Sequence, residues 1–249
     1  MAKKVVRVDP TPETPTKEPR WTPTPEAKSR ATRLRVFAVV LWLLAIATEV
    51  FAVFWVWKRN WKGDEATLNM IVLIGAIVVI ALFAIAGSLL WKSANKADPA
   101  SRSEPVRFFI QNQLGVIVSI IAFLPLIILI FTNKNMGGQQ KAIAGIIGIV
   151  ALAVAGLASA EFTPSSVEQY TVETQKVVEL TGHDQVFWTK EGTVYHLCQA
   201  ASAVNIQSQD NKIYEGTVGD AHGAGKERLT LQVDQEMKQC GFATPVPSA

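Results

Sequence analysis

Residues 36–57 read VFAVVLWLLAIATEVFAVFWVW, an apolar run with one charged side chain, Glu49. An α-helix needs about 20 apolar residues to cross the hydrocarbon core of a bilayer, and this run has that length. Three similar runs follow, at residues 70–91, 109–131 and 142–160. The sequence therefore predicts an all-α membrane bundle of four transmembrane helices.

The segments on either side of the bundle differ from it in composition. Residues 1–35 are basic and hold six of the chain's twelve prolines. Proline fixes φ and removes a backbone donor, so we expect a disordered leader there. Residues 161–249 have ordinary polarity and are enough for one small domain, which we predict to be soluble.

The cations indicate an orientation. With the N-terminus inside, the leader and residues 92–107 give the cytoplasmic face thirteen Lys and Arg residues, whereas the outer loops hold five. The positive-inside rule then favours a multi-pass protein of the cell membrane with a cytoplasmic N-terminus. Four spans return the C-terminal domain to the cytoplasm, although Lys141 argues against this because no cation follows helix four until Lys176.

The C-terminal domain is predicted to be α+β. Residues 185–189 and 193–197 flank Gly192 in the pattern of a hairpin. Thr217 and Asp220 have the spacing of a capping box at the start of a short helix, which Gly225 would end.

Glu49 is the residue within the predicted bundle that points most directly to a function, because it is the one charged side chain in the four apolar runs. A carboxylate in a span is costly unless it is protonated, paired or facing a polar cavity. One interpretation is proton or ion handling, as in a small ion- or proton-coupled transporter. The other is a purely structural, hydrogen-bonded acid.

Helix four carries a stripe of small residues at spacings of four, three, four and four. Small residues let helix backbones approach closely in lipid, so we expect this stripe to be a helix-packing face. Its members are Ala144, Gly148, Ala151, Ala155 and Ser159.

Cys198 and Cys240 are the only cysteines. Outside the cytoplasm they would form a disulfide that staples a small domain, and inside it they would remain reduced. With His196 and His222 they could make a zinc set, but no standard ligand spacing is present, so no metal site is predicted. A membrane-tethered redox or metal-binding sensor through the two cysteines is one functional alternative.

No assembled catalytic motif is found, and we predict that the chain is not an enzyme. The stretch at residues 223–226 resembles a phosphate loop only superficially, because Asp220 replaces the first glycine and Glu227 the metal-binding hydroxyl. None of the three histidines lies in a span, which excludes haem ligation by histidine there. No cofactor is predicted. The basic leader suits membrane lipid, and no nucleic acid is expected as a partner.

Two stretches, VFWTKEGTVYHLC at residues 186–198 and GTVGDAHGAGKER at residues 216–228, resemble a small module with a hairpin, a Tyr-His pair and cysteines. The match covers residues 185–241. Metal-binding members of that module end in Pro-Cys-x-x-Cys, whereas only Cys240 is present here, so metal binding does not carry over.

The whole layout resembles actinobacterial four-span accessory subunits of the cytochrome bcc–aa3 respiratory supercomplex. Such subunits carry no haem or copper. The resemblance implies other integral membrane subunits as partners. We therefore expect a non-enzymatic accessory or scaffold subunit of a larger membrane complex, with a respiratory one as the candidate.

Overall fold

The computed structural model describes residues 4–7, 20–205 and 210–242. The chain forms two compact units. The membrane unit comprises Thr32–Lys92 and Phe109–Pro164, and the polar unit comprises the described parts of Met1–Ala31, Ser93–Phe108 and Ser165–Ala249.

Four long helices contain the four apolar runs, and all four are long and apolar enough to cross a membrane. The predicted helical bundle is thus confirmed. The first three helices extend beyond their runs at both ends, and the fourth extends beyond its run only at the N-terminal end, because a run marks only the apolar part of a helix. The helices are α1 (Pro25–Lys58), α2 (Glu65–Ala97), α3 (Pro105–Thr132) and α4 (Gly138–Ser159).

The boundary predicted for the disordered leader, residues 1–35, is wrong at its C-terminal end. The α1 helix begins at Pro25, where a proline fits the first helical turn because no backbone donor is needed there. The Thr24 hydroxyl accepts a hydrogen bond from the Ala27 amide at 3.2 Å. Lys4–Arg7 also forms a strand, β1. Residues 1–3 and 8–19 of the predicted leader lie outside the described residues.

The membrane unit is held by one buried face from each helix. On α1 the buried positions recur at spacings of four and three residues, which keeps them on one side of a helix of 3.6 residues per turn. The other sides of the helices expose large apolar side chains that suit lipid. The buried α1 positions, which we call the α1 seam, are Ala38, Trp42, Ala45, Glu49, Ala52 and Val56.

The polar unit has the predicted α+β class. Its elements are α5 (Val167–Thr181), β2 (Val186–Trp188), β3 (Val194–Tyr195), β4 (Lys212–Gly216), α6 (Val218–Gly223), β5 (Arg228–Leu229) and α7 (Val233–Cys240). A three-stranded sheet has the order β1-β4-β2, with β1 parallel and β2 antiparallel to β4, and a separate parallel pair joins β3 to β5.

The predicted hairpin around Gly192 is present only as one bridge. Phe187 and His196 exchange two backbone hydrogen bonds of 2.8 Å, but β2 pairs mainly with β4 and β3 pairs with β5. The predicted capping box is confirmed, since Thr217 and Asp220 bond each other's backbone amides at the start of α6. Gly225 follows α6 with φ of +90°, a conformation that glycine adopts freely.

The predicted domain, residues 161–249, omits two segments that belong to the polar unit. Trp21 is buried, and its ring meets Tyr170 edge-on with centroids 4.9 Å apart. The Trp21 amide donates to the Thr171 hydroxyl at 2.9 Å, and the Tyr170 hydroxyl donates to the Lys96 carbonyl at 2.8 Å. The polar unit therefore includes residues 20–31, which precede the first span, and residues 93–108, which connect α2 to α3.

Candidate functional site

Glu49 lies on the α1 seam between Ala45 and Ala52, which are both fully buried. Only 6% of the Glu49 surface is exposed within the protein. Its Oε1 atom is buried and has no hydrogen-bond partner among the described residues. The structure thus directs a carboxyl group into the membrane unit without giving that oxygen a donor.

Several other buried polar side chains of the membrane unit are bonded to each other or to backbone carbonyls, although Nε1 of Trp55 is also buried without a partner among the described residues. The Ser159 hydroxyl lies 2.8 Å from that of Ser88 and 3.2 Å from that of Ser119. The Asn133 amide donates to the Val56 carbonyl at 2.9 Å. Each of these groups has a hydrogen-bond partner, which offsets the cost of burying it. Glu49 differs from them, because its Oε1 atom has no such partner among the described residues.

The small residues of α4 face the bundle to different degrees. Ala144, Gly148, Ala155 and Ser159 are buried, whereas Ala151 is half-buried and packs at the edge of the apolar core. A Cβ atom added at Gly148 would lie 3.1 Å from Cγ1 of Ile127 on α3.

Three glycines of the membrane unit outside the predicted stripe, Gly87, Gly115 and Gly145, make closer approaches. A Cβ at Gly145 would overlap the Phe131 ring. A Cβ at Gly115 on α3 would lie 2.7 Å from the Ser88 hydroxyl and 3.2 Å from Cβ of Ser159. Sequence reasoning missed Gly115, although Gly115, Ser119 and Ala122 recur on α3 at spacings of four and three, the same signal that marked the stripe on α4.

Cys198 and Cys240 are joined by a disulfide with a Cα–Cα distance of 6.0 Å. The bond ties the C-terminus of α7 to the segment after β3. Both cysteines are half-buried. No group of three or more potential metal ligands occurs in the described part of the chain, and the thiols needed for the zinc alternative are committed to the disulfide.

A second buried polar cluster links α5, β3 and α6 around Glu173. Its Oε2 atom lies 2.6 Å from Nε2 of His222 and accepts from the Tyr195 hydroxyl at 2.7 Å. Nδ1 of His222 lies 2.8 Å from the Lys226 carbonyl, which can only accept, so Nδ1 donates. The His222 ring also stacks on Tyr170, with centroids 3.9 Å apart.

Electrostatics in this cluster favour an ionised Glu173. Burial is the largest single influence and would raise the pKa of its carboxyl, whereas the hydrogen bond and charge of His222 lower it. Hydrogen bonds from Gln169 and Tyr195 act in the same direction, so the pKa is lowered overall. Burial raises the pKa of the Tyr195 hydroxyl, and the nearby Glu173 charge adds to that effect.

The other buried histidine has an equivalent carboxylate. Nδ1 of His196 lies 2.6 Å from Oε1 of Glu236, and the Leu197 amide donates to Oε2 of Glu236 at 3.0 Å. The zinc alternative groups His196 with Cys198, whereas in the structure His196 pairs with Glu236. The sequence offers no signal for Glu173 or Glu236, because each carboxylate lies 40 or more positions from its histidine.

A cavity of about 310 Å³ opens in the polar unit, near the lower limit for small-molecule sites. Trp188 and Tyr214 line it, together with Arg30 and Lys226. Lys226 is only 3% exposed, and its ammonium donates to the carbonyls of Lys190 and Gly192. Burial lowers the pKa of Lys226. The cavity has room for a small ligand, but the ammonium group of Lys226, its most buried cation, is already hydrogen-bonded to backbone carbonyls.

Comparison of the chain with protein-family models, with characterised proteins and with solved structures yields no match. The fold alone therefore defines the class. It is a multi-pass membrane protein with four candidate spans and a small α+β polar unit.

Proposed function

We propose that this chain is a non-enzymatic accessory or scaffold subunit of a larger membrane complex. The observation that supports the proposal is that buried ionisable groups of the polar unit are hydrogen-bonded within the protein. His196, His222 and Lys226 each bind a carboxylate or carbonyl within the protein. General acid–base catalysis needs such a group within reach of a substrate proton, and these bonds within the protein support a structural role for the three side chains.

The surface of the membrane unit supports association with other spans. The side of α1 opposite the seam exposes large aromatic side chains along the length of the span. Phe37 is 61% exposed, Phe51 50%, Phe54 47% and Trp57 66%. This face suits lipid and partner helices alike, and close packing is what joins helices in lipid.

We propose a respiratory complex as the partner, by resemblance to accessory subunits of the bcc–aa3 supercomplex. The test is purification of the tagged full chain in a mild detergent, followed by mass spectrometry and a reduced-minus-oxidised absorbance spectrum. We expect integral membrane partners in fixed stoichiometry and haem absorbance in the eluate. Partners without haem would contradict the respiratory assignment alone.

We also propose that the protein lies in the cell membrane with its N-terminus and C-terminal region in the cytoplasm. Thirteen Lys and Arg residues support this side against five on the other. The disulfide argues for the opposite side, because structural disulfides are rare in reducing compartments.

A second candidate function reconciles the cation count with the disulfide. A cytoplasmic Cys198–Cys240 pair would open and close with the redox state of the cell, so that the polar unit acts as a membrane-tethered redox sensor. The half-buried position of both cysteines supports access by small reductants.

Acid-quenched cells labelled with a gel-shifting maleimide test this candidate. Two labels per chain at rest, falling to none after a brief oxidant pulse, would support the redox sensor. Labels that never disappear would reject it. A pair that labels only after chemical reduction would reject the cytoplasmic orientation as well.

A further inference from the structure

We propose that Glu49 is a proton-binding site of the membrane unit, holding one exchangeable proton on its carboxyl group. The inference rests on the position of Glu49 and does not depend on the accessory role proposed above.

The surroundings of Glu49 contain no counter-charge. The four apolar runs hold no other Asp, Glu, Lys, Arg or His, so no charged or titratable side chain faces Glu49 from within the spans of α2, α3 or α4. Its neighbours on the α1 seam, Ala45 and Ala52, bring no polar side-chain atoms. An ionised carboxylate in such a place lacks both water and a partner, whereas the neutral acid does not need a counter-ion.

The unpartnered oxygen is a second, independent observation. Oε1 of Glu49 is buried and receives no hydrogen bond from any described residue, in contrast to the bonded serines of the same unit. Buried polar atoms are nearly always paired, so an unpaired one calls for an explanation. A proton on the carboxyl group removes the charge that makes an unpaired oxygen costly.

A metal cation is a weaker occupant for the same place. Sodium, calcium and magnesium require several oxygen ligands. The Asn133 amide is committed to the Val56 carbonyl, and Ser88 and Ser159 bond each other. Val56 itself lies seven residues from Glu49, or ~10 Å along the helix. A proton, by contrast, needs only the one carboxyl group.

The experiment uses the full chain in lipid vesicles and dicyclohexylcarbodiimide, a lipid-soluble reagent that modifies protonated carboxyl groups. The carboxyl O–H adds across one C=N bond of the reagent, and the adduct rearranges to a stable N-acylurea. Peptide mass mapping then locates the adduct. We expect Glu49 to be modified at mildly acidic pH, less at alkaline pH, and equally with sodium or choline as the salt.

The matched variants are Glu49→Gln, which should abolish the adduct on its peptide, and Glu65→Gln in the exposed first turn of α2, which should preserve it. If Glu49→Gln fails to fold, the peptide map of the unaltered chain and its pH dependence still decide. Absence of an adduct on Glu49 at every pH would overturn the proposal. Protection by sodium would overturn it in favour of a metal cation.

Discussion

Glu173 joins three elements of the polar unit through one carboxylate. It lies on α5, accepts from Tyr195 on β3 and pairs with His222 on α6. The stacking of His222 on Tyr170 places an aromatic ring over the same cluster. A residue with this many buried partners should matter for stability far more than an exposed acid of the same helix.

We predict that Glu173→Ala lowers the free energy of unfolding by about 2–4 kcal/mol, because it leaves the His222 and Tyr195 donors buried without an acceptor. Glu179→Ala is the matched control on the exposed side of α5 and should change stability by less than about 0.5 kcal/mol. Thermal unfolding of the full chain in detergent measures both. Equal losses for the two variants would mean that the cluster contributes nothing specific.

Glu168 should make the thermal stability of the protein depend on pH in the acid range. Burial would raise the pKa of Glu168, but hydrogen bonds from Ser101 and the Arg102 amide lower it to about 2. A carboxyl whose folded-state pKa is lowered stabilises the fold above its ordinary pKa, and that contribution is lost as pH falls towards the folded value. We therefore expect thermal stability to fall between about pH 4.5 and pH 2, and to fall less in Glu168→Gln. An identical profile in the variant would contradict this assignment.

At the scale of elements, close contacts between α2, α3 and α4 are made where Gly115 meets Ser88 and Ser159. Both serines are buried and hydrogen-bonded to each other, so neither side chain can move away freely. Substituting alanine for a helical glycine normally stabilises a helix by up to about 1 kcal/mol. Steric overlap at this position opposes that gain.

We predict that Gly115→Ala destabilises the membrane unit by about 1–3 kcal/mol, the usual cost of overpacking. Gly156→Ala on α4 is the control, because an added Cβ there would have no neighbour within 4 Å. It should leave stability unchanged or raise it. Thermal or detergent-induced unfolding monitored by tryptophan fluorescence separates the two, and the same shift in both variants would contradict the packing argument.

Elements that arise from a local sequence pattern could be predicted, whereas those that depend on distant residues could not. Apolar runs define spans because lipid imposes length and polarity on every residue of a span, and the four helices could be predicted on that basis. The start of α1 could not, because the segment from Pro25 to Arg35 is polar and lies outside the run. Trp21 and Glu173 gain their roles from residues more than 20 positions away, which local patterns do not encode.

At the scale of the whole molecule, the α+β polar unit and the four spans each have a closed core, while the outer faces of the spans remain apolar. Spans with broad apolar surfaces are expected of a subunit that works by assembly. We therefore propose that the chain functions inside a larger membrane complex.

Native gel electrophoresis of membranes that contain the chain at its natural level tests this claim most directly. The chain alone has a mass of 27.1 kDa. We predict that in mild detergent all of it migrates in one species of much higher mass that also contains other integral membrane proteins in fixed ratio. Migration as a free monomer, or as an oligomer of this chain alone, would contradict the account.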